Sequence, residues 1–222
     1  VASWIQSERP YEEVYTPSDT SLFELDIQDE SVCVVAGELK TLEESQFVLD
    51  LAQRYQWTIL PDVQSHLGLL CHESCLGDYH QRLLMGDGMP SPTMIIHVGG
   101  RLVSKQLEQW LATFQGRYIH MDSYQSGYNP MHLSKEVIHC SVLDFNQVVR
   151  LTGRSRVMST CPVREEHKEA LFSESSVMRR FIDGMSEEDV LFCGNSKPIR
   201  IVDQLYGCRQ TPLRVVANRG AS

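Results

Sequence analysis

The feature that most constrains the fold is a strand that ends on glycine and runs into a capped amphipathic helix. It occurs first at "SVCVVAG" (residues 31–37), followed by "TLEESQFVLDLAQRY". Thr41 with Glu44 three residues later is a capping-box signature. Phe47, Val48, Leu51, Ala52 and Tyr55 then recur at helical spacing. The short strand "WTILPD" completes a β-α-β unit. The same order returns at "PTMIIHVGG" and "SKQLEQWLATF", where Ser104 is the expected cap and Leu107, Trp110, Leu111 and Phe114 share one face. "RYIHMD" predicts the next strand. "YHQRLLM" predicts a further helix, "EVIHCSV" a strand and "DFNQVVRLT" a last helix. Strands alternating with helices of this length predict a three-layer α/β unit over residues 21–150, with a mostly parallel sheet covered on both faces.

Residues 1–20 read as an extended lead-in broken by Pro10 and Pro17. Residues 151–172 are polar, charged and aperiodic, and read as a linker. Residues 173–222 then predict a helix ("SESSVMRRFIDGM"), a strand ("DVLFC"), a helix ("IRIVDQLYG") and a strand ("LRVVAN"). Two strands fall short of the three or more that an independent sheet usually needs. This part is therefore expected to open a domain that continues. The first residue is Val rather than Met, so the N-terminus is expected to have been cut from something longer.

Composition narrows the function. The 222 residues are 42% hydrophobic and 22% charged, which suits a soluble globular protein. A net charge of -9 argues against nucleic acid and anionic membranes as main partners. No apolar run approaches the roughly 18 residues of a membrane span. The start lacks the basic-then-apolar order of a signal peptide. Of the seven cysteines, Cys33, Cys140 and Cys193 lie inside apolar strand patterns, where a free thiol packs as a small hydrophobe. That points to a reducing compartment inside the cell. "CHESC" (residues 71–75) has no matching second half with metal-ligand spacing and reads as a loop with reduced cysteines, so no metal site is expected within this chain.

No nucleophile elbow, zinc-protease motif or phosphate-binding P-loop is present in the sequence. "AGELKT" has one glycine where a dinucleotide fold wants three. His97 and His120 sit within strand patterns and read as core residues. The strand ends say more, because open α/β sheets bind ligands at the carboxyl ends of their strands. In "GNSKPIR" (residues 194–200), Asn195 and Ser196 stand at such an end, and Arg200 follows on the first helical turn. Arg219 follows the next strand end, and Lys105 follows the "VGGRLVS" turn. Three cations at three strand ends suit an anionic ligand, most readily a carboxylate, which arginine grips with paired hydrogen bonds.

These residues resemble a known family. "VLFCGNSKPIRIVDQLYG" followed by "VVANRGAS" is similar to the opening of the diphosphate-binding domain of the 2-succinyl-5-enolpyruvyl-6-hydroxy-3-cyclohexene-1-carboxylate synthases, the MenD family. The family pattern there is G-N-S-x-x-x-R and then N-R-G-A-S-G-I-D. Upstream, "WTILPDVQSHLG" resembles the W-P-x-x-x-D-x-x-S segment of the family's middle domain. "VSKQLEQW" resembles its V-S-K-x-L-x-x-W. The likeness spans residues 30–222. It implies a Rossmann-like (DHS-like) middle domain at 21–150 and the start of a thiamine-diphosphate-binding α/β domain at 173–222.

The resemblance implies decarboxylation of 2-oxoglutarate on thiamine diphosphate with Mg²⁺. The carbanion then adds to isochorismate, in menaquinone or phylloquinone synthesis. By motif position it implies Ser196 and Arg200 on the distal carboxylate of the succinyl group, and Arg219 and Lys105 facing isochorismate. Asn195, Ala221 and Ser222 would lie near the cofactor. The metal ligands and the activating glutamate would lie outside this stretch, so the stretch alone is expected to be inactive. A homo-oligomer is implied, in a chloroplast if the source is a plant or alga and in the cytoplasm if bacterial. One departure is Gln106, where many relatives carry arginine after the lysine. Two alternatives stay open: a non-catalytic structural or regulatory module, and another thiamine-diphosphate enzyme resembling acetolactate synthase.

Overall fold

A computed structural model describes residues 13–16, 22–123, 136–158 and 172–218. Its centre is a six-stranded, fully parallel sheet built from β1 (Glu13–Tyr15), β3 (Val32–Ala36), β4 (Thr58–Pro61), β5 (Met94–Val98), β6 (Arg117–Met121) and β7 (Glu136–Ile138). The spatial order is β1-β7-β6-β5-β3-β4. All five residues of β3 and of β5 are buried, as expected for parallel strands covered on both faces. Their alternation decides which helix they meet. Val34, Ala36, Ile96 and Val98 pack with Val48, Leu51 and Ala52 of α1 (Leu42–Tyr55). Cys33, Val35 and Ile95 pack with Tyr79 of α2 (Tyr79–Met85) and with Leu107 and Leu111 of α3 (Lys105–Ala112). The three-layer α/β expectation holds.

Local signals hold as well. Thr41 and Glu44 form the reciprocal capping box of α1, and Ser104 caps α3 by accepting from Leu107 N. The lead-in supplies a strand, since β1 pairs parallel with β7. The expected helix over "DFNQVVRLT" is only partly formed. It is a 3-10 turn (Val142–Asp144) and the single turn α4 (Phe145–Val148), after which Val149–Thr152 is strand β8. β8 pairs parallel with β2 (Phe23–Asp26), outside the main sheet. The reason is tertiary: Phe23, Leu25 and Val149 join the core beside α1, and burial of that pair overrides a weak local helix preference. The chain stays docked beyond β8. Arg156 N donates to Glu30 O at 2.7 Å, and Trp57 Nε1 donates to Ser155 Oγ at 3.0 Å.

The C-terminal unit comprises α5 (Glu174–Asp183), β9 (Val190–Cys193), α6 (Lys197–Gln204) and β10 (Arg214–Ala217), with β9 and β10 parallel. Its core is not its own. Ile182, Leu191, Ile199, Val202, Leu213 and Val215 pack with Val63, Leu69 and Val103 from the loops after β4 and β5. Those loops leave the carboxyl edge of the main sheet, so the C-terminal unit sits on the edge where α/β folds place their sites.

Candidate functional site

The main sheet's own switch point lies between β3 and β5, because the chain steps from β3 outward to β4 and then returns to β3's other side. Backbone fills it. Gly37 N donates to Val98 O at 2.9 Å, Gly100 N to Glu38 O at 2.9 Å and Glu38 N to Arg101 O at 3.1 Å. A Cβ on Gly37 would stand 2.4 Å from Gly100 O. The depression left beside it, lined by Glu38, Lys40, Glu44, Asp122 and Ser123, has room for about one water-sized occupant. His97 and His120 are buried behind it and stack at 4.4 Å. His97 Nδ1 lies 2.8 Å from Tyr118 Oη, and burial followed by the neighbouring His120 holds its pKa well below the ordinary range. Both rings are packing groups of the core.

The residues expected to bind an anion lie on the C-terminal unit. β9 and β10 run in register, with Cys193 opposite Ala217. Gly194 and Asn218 therefore leave adjacent strand ends, side by side. Asn195 and Ser196 form the exposed turn into α6. Ser196 has φ 76° and ψ -123°, a conformation that favours glycine and is costly for a side-chain-bearing residue. Such strain persists where the surroundings hold it, and its usual setting is a functional turn. Ser196 makes no side-chain cap bond to α6, so the capping role of a serine at this position does not explain it. Arg200 is exposed on the first turn. Lys197 beside it is held by Glu174 at 2.6 Å. Arg219, Ala221 and Ser222 lie outside the described residues.

Lys105, also exposed, opens α3 on the main unit. No direct contact joins it to Arg200 among the described residues, but a buried polar cluster joins their helices. Asp62, fully buried after β4, accepts from Gln64 N at 2.9 Å through Oδ1. Through Oδ2 it accepts from Val103 N at 2.5 Å and Ser104 N at 3.4 Å, just ahead of Lys105. Asp203 of α6 accepts from Val63 N at 3.2 Å. Its other oxygen lies 3.0 Å from His80 Nε2. That N–H is not aimed squarely at the oxygen, so the contact is chiefly one of charge. His80 Nδ1 is 3.0 Å from Gln106 Oε1.

Burial, then the charge of Asp203, pushes the Asp62 carboxyl up to about 8 against its three N–H donors. Burial alone would lower His80. Contacts with Asp203, then Gln106 and Asp62, outweigh it and raise the imidazole above its usual value. Tyr79 Oη lies in the same cluster, raised by burial and then by Asp203 and Asp62.

Sequence reading named Asn195, Ser196, Arg200 and Lys105 as candidates, and the structure places the first three at the start of α6. It missed Asp62, His80 and Asp203. Asp62 carried a faint signal, an aspartate directly after a strand. His80 and Asp203 carried none, because their partners are 26 and 123 residues away.

Comparison with known proteins places the chain in a family. The family model described as the middle domain of thiamine pyrophosphate matches residues 1–193, and the chain belongs to that family. It is 29% identical to a 2-succinyl-5-enolpyruvyl-6-hydroxy-3-cyclohexene-1-carboxylate synthase from Shewanella frigidimarina, over 85% of this chain and 35% of that protein. It is 27% identical to the synthase of the same name from Shewanella sp. strain MR-4, over 99% of this chain and 41% of that protein. The Psychromonas ingrahamii synthase is 23% identical over 99% of this chain and 40% of its own length. The chain thus spans about two fifths of the curated relatives it matches.

Proposed function

We propose that this chain forms part of a thiamine-diphosphate-dependent synthase. The reaction decarboxylates 2-oxoglutarate and joins the remaining succinyl unit to isochorismate, in menaquinone or phylloquinone synthesis. One observation carries the reading: the parallel register of β9 and β10 sets the end of β10 at Asn218 beside the strand end that leads into the strained Ser196 turn, and Arg200 lies on the helix opened by that turn.

The residues fit the cofactor in kind. Two adjacent strand ends, one opening a helix, present backbone N–H groups and amide side chains of the sort that hold a diphosphate. Asn195, Ala221 and Ser222 are the residues assigned to it. When bound, thiamine diphosphate supplies the electron sink for loss of carbon dioxide from a 2-oxo acid. Mg²⁺ on the diphosphate is assigned to ligands other than the residues named here.

The chain's own residues bind and orient. The Ser196 hydroxyl donates one hydrogen bond to the distal carboxylate of 2-oxoglutarate, and the Arg200 guanidinium donates two. A carboxylate drawn out of water needs such charge-assisted donors. Lys105 and Arg219 face the carboxylates of isochorismate. We further assign a homo-oligomer in a reducing compartment, bacterial cytoplasm or chloroplast.

The test is turnover by the natural full-length protein with thiamine diphosphate, Mg²⁺, 2-oxoglutarate and isochorismate. The expected product carries the succinyl unit on the isochorismate ring. Acetolactate formed from pyruvate, with no consumption of 2-oxoglutarate, would overturn the assignment in favour of an acetolactate-synthase-like activity.

A further inference from the structure

His80 has no part in the roles assigned above, yet it is buried between two helices that carry candidate cations. Its Nδ1 meets Gln106 Oε1 at 3.0 Å, one residue after Lys105 on α3. Its Nε2 meets Asp203 Oδ2 at 3.0 Å, three residues after Arg200 on α6. Around it, Asp203 Oδ1 accepts from Val63 N, while Asp62 accepts from Val103 N and Ser104 N. The segment that caps α3 and the helix that bears Arg200 are thus tied twice, once through backbone and once through the imidazole.

We propose that His80 is a positioning residue. It fixes the helix bearing Arg200 against the helix bearing Lys105, so that a ligand with two carboxylates, or two carboxylate ligands side by side, meet both cations at one spacing. This rests on the assignment of Lys105 and Arg200 to substrate. It also accounts for Gln106: the side chain is turned to the His80 ring, and the position serves the tie instead of the ligand.

A histidine suits the role because its ring is rigid, presents a nitrogen at each end and can carry a positive charge. With Gln106 Oε1 accepting at Nδ1 and the Asp203 carboxylate 3.0 Å from Nε2, the geometry favours the charged ring, and Asp203 is its counter-charge. The other groups facing the ring are Asp62 and Tyr79, whose ring stacks on it at 4.2 Å. Loss of the ring's charge as pH rises removes its attraction to Asp203, so the tie loosens from its alkaline side. The raised affinity of His80 for its proton fits this arrangement.

The test uses hydrogen exchange on the protein and on His80→Ala. Amides of α6 and of the first turn of α3 should exchange at least about tenfold faster, while β3 and β5 keep their protection. In an Asp203→Asn background, His80→Ala should add less than about twofold, because the pair acts as a unit. His80→Gln keeps bulk and one donor, and should fall between. By NMR the His80 ring should titrate above an ordinary histidine, and drop in Asp203→Asn. Unchanged α6 exchange in His80→Ala, or protection lost evenly across the main sheet, would overturn the proposal.

Kinetics of the natural full-length protein separate the two assignments. His80→Ala should raise KM for 2-oxoglutarate about tenfold and leave kcat within about threefold. A raised KM in Arg200→Ala with none in His80→Ala would overturn this inference and leave the substrate assignment intact. No change in either variant would overturn the substrate assignment itself, whatever the exchange of α6.

Discussion

The central sheet and the C-terminal unit are built from the same parts and finished differently. In β3, β4 and β5 every residue is buried. In β9 burial alternates, and Val190 and Phe192 are 48% and 64% exposed. The sheet closes its core with its own helices. The C-terminal unit borrows Val63, Leu69 and Val103 to close one face, and among the described residues nothing covers Val190 and Phe192 on the other. The difference lies in how each core closes: the sheet's switch point is sealed by backbone, while the C-terminal unit shares its core with the main unit and carries the strained Ser196 turn and the exposed Arg200.

The contrast can be broken first at its strongest point. Ile96 is 1% exposed in the middle of β5. Ile96→Ala removes buried hydrocarbon and leaves a cavity, and should cost about 2–5 kcal/mol in urea unfolding. A cost under about 1 kcal/mol would mean that the central face collapses easily, which the interleaved packing contradicts.

The seam between the regions should respond to acid. His66 Nδ1 accepts from Val215 N of β10 at 3.1 Å, so the ring must lack a proton there. Burial, then Arg214, holds its pKa down to about 4. A lowered histidine in the folded state leaves stability whole above the unfolded value, about 6.5. That stability is lost as pH falls toward about 4. Between pH 7 and pH 5 the loss attributable to His66 should be about 2 kcal/mol. His66 has φ 65°, a conformation asparagine tolerates, and asparagine keeps an acceptor. His66→Asn should therefore flatten that part of the pH profile. An unchanged profile would detach His66 from the seam.

A smaller effect tests the scaffold's local design. Thr41 Oγ1 accepts from Glu44 N at 3.1 Å, and Glu44 Oε2 accepts from Thr41 N at 3.2 Å. Thr41→Ala should cost about 1 kcal/mol by thermal or urea unfolding, with no change in α6 exchange. A loss of α6 protection would show that the two regions are less separate than their cores suggest.

What could be read from sequence follows the range of the physics involved. Thr41–Glu44 and Ser104 act on amides three residues away, so their pattern is visible in any short window. Buried thiols were also legible: burial pushes Cys140 and Cys193 up to about 11, as expected of cysteines packed as hydrophobes. In "CHESC", His72 is engaged by Gln53 Nε2 at 2.7 Å and by Ser74 N at 3.1 Å. The β2–β8 pair was not legible, because Val149–Thr152 becomes a strand through partners more than 120 residues earlier. The same holds for the site. Ser196 and Arg200 announce themselves through a local turn. His80 and Asp203 gain meaning only once α2, α3 and α6 are packed together.

The most direct test of the account is donor selectivity in the natural full-length protein. Arg200→Ala should lower kcat/KM for 2-oxoglutarate by about 30- to 1000-fold, or about 2–4 kcal/mol, as expected for breaking a desolvated charge pair. Ser196→Ala should remove about 1.5–3 kcal/mol, a neutral donor to a charged group. Pyruvate is a 2-oxo acid without the distal carboxylate, and its kcat/KM should change far less in both variants. Equal losses for the two donors would contradict the account, and would make Ser196 and Arg200 supports of the fold or the cofactor instead of the grip on the succinyl carboxylate.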